Sequence, residues 1–346
     1  MSESAGMSGT NNSGYVISDN NLGLDLMRAT EAAALAAARW RGRGMKEEGD
    51  GAAVDAMRAV LAGVRMDGTI VIGEGEKDEA PMLHNGEKVG TGDGQKVDIA
   101  VDPVDGTRLL ALGMRNSIAV MAAAESGSMY NPTMCFYMDK LAVGPEAADV
   151  IDIEAPIADT IKKVAKAKGK DVGDIVVAML NRERHEQLAK DIRDAGARTS
   201  MYTDGDVAAS VSAASDSVSS VDILAGIGGS PEGVVSACAM KAMGGRIMAR
   251  LHPTSDEERQ RTIDAGFDVD KVLDTDDLVA SDNTLFVATG ISDGDLVDGV
   301  HYLEHGGART HSVVMRSSSG TIRYIEAFHR LEKLNRHAAG QQLPSI

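Results

Sequence analysis

Aromatic side chains make up only 3% of this 346-residue chain, with a single Trp. A core short of large rings must be filled by Ala, Val, Ile, Leu and Met, the composition of tightly packed helix-on-sheet layers. Cysteine is equally scarce. Cys135 and Cys238 each lie in an apolar run, MCFYM and SACAM, which excludes a disulfide framework and suggests buried reduced thiols. Basic charge is also short: 35 Lys and Arg stand against 52 Asp and Glu, a formal net charge of −17. No broad cationic surface is available, so nucleic acid and anionic membranes are excluded as partners. No apolar run reaches the roughly 18 residues needed to span a bilayer. Residues 1–14 lack a basic stretch followed by an apolar core, so they are expected to be a disordered leader of a cytoplasmic chain.

What is present is ordinary for a folded protein: 43% hydrophobic and 25% charged residues. Helices are expected over 25–41 and 50–64, separated by the glycine-rich RGRGMKEEGDG. Short β-branched or small-residue runs predict strands at 69–73, 97–102, 117–124 and 134–143. After Pro156 the pattern becomes a regular strand–helix alternation through residue 243. Three further strands follow, at 283–290, 311–316 and 321–328. The expected fold is α/β, with an N-terminal metal-binding subdomain over 15–155, a C-terminal α/β subdomain over 156–335 and a loose tail over 336–346.

Three motifs carry the chemistry. In Val97–Arg108, VDIAVDPVDGTR, a buried strand is expected to end at Asp102, with Asp105 three residues on and Gly106-Thr107 opening a helix. Paired hard oxygens at a sheet edge suit Mg²⁺ or Mn²⁺, although an isolated turn of this kind also serves as a helix cap. In TIVIGEGEKDEAPM, residues 69–82, a strand ends at Gly73 and is followed by Glu74, Glu76, Asp78 and Glu79. Alone that is an acidic loop; beside the first motif it offers further ligands. In VDILAGIGGSPEGVVSA, residues 221–237, a glycine turn enters a helix with Glu232 in its first turn. A carboxylate there would repel bare phosphate and could instead hold a bridging cation.

Weaker features stand at other strand ends. Lys46 and Asp50 lie in a loop expected to precede a helix. Arg182 and Arg184 follow IVVAML, where guanidinium groups suit a phosphate, and Asp204 and Asp206 follow the strand 197–202, where acceptors suit sugar hydroxyls. P-loop, Rossmann, nucleophile-elbow and zincin signatures are absent, and the eight His form no close pair at ligand spacing.

Together, RGRGMKEEGDGAAVDAMR, GTIVIGEGEKDEAPML, DIAVDPVDGT, DGDVAAS and GIGGSPEGVVSA resemble the lithium-sensitive, magnesium-dependent phosphatase superfamily. Within it they are similar to class II fructose-1,6-bisphosphatases over roughly residues 20 to 330. The resemblance implies a layered α/β/α/β/α sugar-phosphatase fold and two or three Mg²⁺ or Mn²⁺ held by Asp50, Glu74, Asp102, Asp105 and Glu232. It implies catalytic parts for Thr107, Glu74 and Asp78. Substrate contacts are implied for Lys46, Asp105, Gly106, Thr107, Tyr137, Arg182, Glu183, Arg184, Asp204, Gly205, Asp206 and Gly229. The implied reaction is metal-assisted hydrolysis of the 1-phosphate of fructose 1,6-bisphosphate in gluconeogenesis, by a homodimer or homotetramer. Inositol-monophosphatase-like activity, a dual fructose/sedoheptulose bisphosphatase and a non-catalytic sugar-phosphate sensor remain alternatives at this stage.

Overall fold

The computed structural model describes residues 21–75, 82–132, 134–215 and 220–334. The expected leader and tail lie outside these residues. Helix α1 (Leu22–Ala38) is buried along most of its length, and α2 (Lys46–Leu61) packs against it. Gly49 lets α2 sit against the turn after α1 and against the later segment carrying Leu110, since a Cβ there would stand 2.9 Å from Leu110 Cδ2 and 3.1 Å from Trp40 Cβ. α2 begins four residues before the expected start, so Lys46 and Asp50 share one helical face rather than a loop. Glu47 and Glu48 in its first turn complement the helix dipole.

The strands are β1 (Met66–Ile72), β2 (Lys88–Val89), β3 (Gln95–Asp105), β4 (Ile118–Glu125), β5 (Tyr137–Val143), β6 (Val176–Leu180), β7 (Arg198–Tyr202), β8 (Ile223–Gly229), β9 (Arg246–Leu251), β10 (Leu285–Gly290), β11 (His301–Leu303), β12 (Gly307–Arg316) and β13 (Thr321–Arg330). The remaining helices are α3 (Thr107–Leu112), α4 (Ile157–Lys168), α5 (Glu186–Asp194), α6 (Val207–Ala213), α7 (Ser230–Met243), α8 (Asp256–Asp264) and α9 (Thr275–Leu278). An eight-stranded sheet runs β11-β12-β10-β4-β3-β1-β2, with β13 on the other edge of β12; a five-stranded sheet runs β7-β6-β8-β5-β9.

The division of strands differs from a boundary near residue 155. β5 already belongs to the second sheet, and β10 to β13 return to complete the first. Nor is the second sheet a uniform βαβ series: β6 is parallel to β7 and β8, but β5 is antiparallel to both β8 and β9. β9, RIMARL, was not anticipated because Arg246 and Arg250 interrupt its apolar run. α8 and α9 were also missed, although Ser255 and Asp274 supply cap signals.

Burial alternates along the central strands in the manner that two covered faces require. Ile118, Val120 and Ala122 of β4 join a core with α6, α7 and the second sheet, whereas Ala119, Met121 and Ala123 join α1 and α2. The far face of the second sheet packs on α4 and α5 through Ile161, Val164 and Ile192. Five layers result: α1 and α2, the first sheet, α6 and α7, the second sheet, then α4 and α5. Cys135 and Cys238 are buried free thiols, as expected.

Candidate active site

The site is built where β3 breaks. Its pairing with β4 runs to Asp102↔Val120 and resumes at Asp105↔Ile118, so one extra residue is accommodated at Pro103-Val104. Proline has no N–H to give a ladder, and a bulge tolerates that loss. The strand therefore continues to Asp105 instead of ending at Asp102. Asp102 Oδ1 accepts the Val104 N–H at 3.0 Å, which steadies the bulge. Gly106 then takes a left-handed conformation (φ 89°) and α3 starts at Thr107.

Glu74 is held by a second turn. Its N–H donates to the Leu83 carbonyl at 3.0 Å, and the Gly73 N–H donates to Asn85 Oδ1 at 3.0 Å. Glu232 arrives from the first turn of α7, and Lys46 and Asp50 from α2. These groups line one cleft of about 350 Å³ together with Thr107, Gly106, Asp204 and Gly205. Carboxylate oxygens of Asp102, Asp105 and Glu232 lie within 4.8 Å of one another.

Such a cluster is electrostatically costly by itself. Burial raises the Asp102 carboxyl well above the usual range, and Asp105, Glu232, Glu74 and Asp50 push it the same way. Asp105 is raised by burial and then by Glu232, Asp206 and Asp204. Glu232 is raised chiefly by burial, Glu74 is pushed up to about 7 by burial and Asp50, and Asp50 rises by burial. Asp105 Oδ2 is buried without a hydrogen-bond partner among the described residues. Asp102 and Glu232 remain partly open to the cleft. All-oxygen donors, one of them orphaned and all crowded by like charge, fit a hard divalent cation such as Mg²⁺ or Mn²⁺.

The expected substrate residues divide into groups. Asp204 accepts from the Arg108 N–H at 3.1 Å and from Arg182 Nη2 at 3.2 Å, while Arg182 Nη1 donates to the Thr203 carbonyl at 2.6 Å. Gly205, at φ 68°, passes so close to Asp105 that a Cβ would stand 2.7 Å from Oδ1. Arg184 Nη2 donates to the Ile227 carbonyl at 2.8 Å and its guanidinium lies 5.2 Å over the Tyr137 ring. Tyr137 pairs across the sheet with Gly229, the residue before α7. Glu183 is exposed on the turn between Arg182 and α5. Asp206 is not among the residues that line the cleft; its Oδ2 lies 2.6 Å from Lys140 Nζ, its Oδ1 is buried without a hydrogen-bond partner among the described residues, and both side chains are buried. Asp78 lies outside the described residues.

A family model described as "Bacterial fructose-1,6-bisphosphatase, glpX-encoded" matches residues 20–329. The chain belongs to that fructose-1,6-bisphosphatase family. It is 46% identical over 326 residues to the Escherichia coli K12 protein named "Fructose-1,6-bisphosphatase 1 class 2", an alignment that covers 90% of this chain and 96% of the relative. Proteins named "Fructose-1,6-bisphosphatase class 2" from Escherichia coli O6:H1 and Shigella flexneri match with the same identity and coverage. The resemblance read from the ordered motifs is thus borne out. Two residues of this fructose-1,6-bisphosphatase family member escaped sequence reasoning. Lys140 is fully buried beside Asp206, and the charged pair Asp139-Lys140 inside YMDKLAV was its signal. His185 shares Nδ1 with the Leu180 carbonyl at 2.8 Å and accepts the Ile227 N–H on Nε2 at 2.8 Å, so it stitches β6 to β8. Burial lowers its pKa and favours the neutral ring.

Proposed function

We propose that this chain hydrolyses the 1-phosphate of fructose 1,6-bisphosphate to give fructose 6-phosphate and inorganic phosphate, with water as the nucleophile. The observation that carries this reading is the convergence of Asp102, Asp105 and Glu232 in one cleft, in a chain of the fructose-1,6-bisphosphatase family. Asp50, Glu74, Asp102, Asp105 and Glu232 would hold two or three Mg²⁺ or Mn²⁺. When bound, such cations neutralise phosphoryl oxygens and make water more acidic, which a slow phosphate-ester hydrolysis requires.

The remaining work belongs to the chain. Thr107, at the start of α3, offers a hydroxyl to orient the attacking water and relay its proton to Glu74, which lines the same cleft; a catalytic part for Asp78 rests on the family resemblance alone. Arg184, exposed and steadied over Tyr137, is the freer guanidinium for the remote phosphate. Arg182 is already shared with Asp204 and holds the loop carrying Gly205. Lys46, Glu183 and Gly229 complete the substrate contacts, and binding energy far from the reacting bond orients that bond. Among the described residues no helix is long and apolar enough to cross a membrane. We assign the reaction to the cytoplasm, in gluconeogenesis, and the active form to a homodimer or homotetramer.

The test is phosphate release from fructose 1,6-bisphosphate with Mg²⁺, with Mn²⁺ and with a chelator, alongside inositol 1-phosphate and sedoheptulose 1,7-bisphosphate. Metal-dependent release from the fructose ester is expected, and Asp102→Ala should lose at least about tenfold in rate. Preference for inositol 1-phosphate would overturn the substrate, and release that survives the chelator would overturn the mechanism.

A further inference from the structure

Lys140 has no part in the scheme above, yet it is one of the largest fully buried side chains among the described residues. It sits in the middle of β5, opposite Gly226 on β8 and Ala249 on β9. Met138 and Ala142, two residues to either side, belong to the core between the sheets, so Lys140 points into the layer that holds α6 and α7. An ammonium buried there requires a compensating anion and further acceptors. It has both: Asp206 Oδ2 at 2.6 Å and the Gly229 carbonyl at 2.9 Å.

The positions of these two partners make the contact informative. Asp206 is the residue immediately before α6, and Gly229 the residue immediately before α7. Two residues before Asp206 stands Asp204, and three after Gly229 stands Glu232, both in the cleft. The path is kept clear at Gly228, where a Cβ would lie 2.8 Å from Lys140 Nζ and would collide with the Asp206 carboxylate. Gly233 borders the stem, with its built Cβ 3.3 Å from Lys140 Cδ. A single cation thus ties together the starts of the two helices between the sheets.

We propose that Lys140 is a positioning residue: through Asp206 and the Gly229 carbonyl it sets where Asp204 and Glu232 stand in the cleft. The inference rests on reading that cleft as a metal-dependent phosphatase centre. The buried charge also offsets the acidic surroundings, since Lys140 acts on Asp105 and Glu232 in the sense opposite to Asp206. Partners one step behind the ligands typically matter by about ten- to a hundredfold in metal affinity or activity.

The test is a double-mutant cycle with Lys140→Met, Asp206→Asn and the two combined. It is read by calorimetric Mn²⁺ titration of the purified full chain, by thermal melting and by steady-state kinetics. Each single variant should weaken Mn²⁺ binding by about tenfold. The combined variant should weaken it no further, because both act through one contact. Removing both charges should restore melting toward the parent while Mn²⁺ binding stays weak, with kcat reduced more than KM is raised. Unchanged Mn²⁺ affinity in the variants, additive losses, or recovery of Mn²⁺ binding together with stability would each overturn the proposal. Should Lys140→Met alone not fold, unequal Mn²⁺ affinities for Asp206→Asn and the combined variant would overturn it as well. Absence of phosphate release by a parent that binds Mn²⁺ would refute the proposed reaction and leave this comparison intact.

Discussion

Glu31 shows how far a single buried acid departs from expectation. It lies on α1 facing the first sheet, where Thr310 donates to Oε1 at 3.4 Å and His329 Nε2 approaches to 4.0 Å. Burial pushes its carboxyl up to about 7, against the smaller opposing effects of Thr310 and Arg28. Burial also lowers the pKa of His329, so that ring gives Glu31 little positive charge. A carboxyl with a raised folded-state pKa holds its proton in the fold where the unfolded chain has already lost it. Its stabilising contribution is therefore complete below the ordinary value of 4.5 and is lost as pH rises toward about 7. Glu31→Gln should flatten the fall in melting temperature across that interval, and an unchanged pH profile would refute the assignment. At this scale the ligand types were legible, because Asp102, Asp105 and Glu232 sit in motifs whose turns demand Gly or Pro. The Lys140–Asp206 pair was not, because residues 66 positions apart in the chain meet only after β5, α6 and β8 have packed.

Among the elements, α2 has the most direct influence on the site because it brings Lys46 and Asp50 while packed on α1. Gly49 lets α2 sit against its other neighbours, facing Trp40 in the turn after α1 on one side and Leu110 of α3 on the other. Gly49→Val should overpack the contact at a cost of about 1–3 kcal/mol. Lower thermal stability and weaker Mn²⁺ binding are expected together, since the helix that must move carries a candidate ligand; a variant that melts with the parent would show that the contact yields easily. Helices and strands with regular periodicity were readable from residue types, and the alternation expected after Pro156 does open with a helix, α4, at Ile157. The start of α2 was not, since Gly44, Gly49 and Gly51 mask it, and Gly49 serves packing rather than a turn. β9 was hidden because Arg246 spends its charge on Asp274, with Nη2 2.5 Å from Oδ2, and so sits in a strand that composition alone disfavours.

For the whole molecule, the formal charge of −17 and the clustered carboxylates favour the cation-bound state. A ligand that binds only the folded form stabilises it by mass action, by about 2.7 kcal/mol at a hundredfold excess over its dissociation constant. Mg²⁺ or Mn²⁺ should raise the melting temperature by several degrees and a chelator should reverse it, with sodium chloride at equal ionic strength doing less because screening is not ligation. Equal effects of the two salts would argue against a bound cation. The amino-acid sequence by itself determined the α/β class, the buried thiols and the acidic turns, because each depends on residue type and local spacing. Only the tertiary structure decided that β10 to β13 return to the first sheet and that Glu232 closes on Asp102 and Asp105. Strand order and the meeting of distant carboxylates depend on how whole faces are buried against one another, and no local stretch of sequence contains that information.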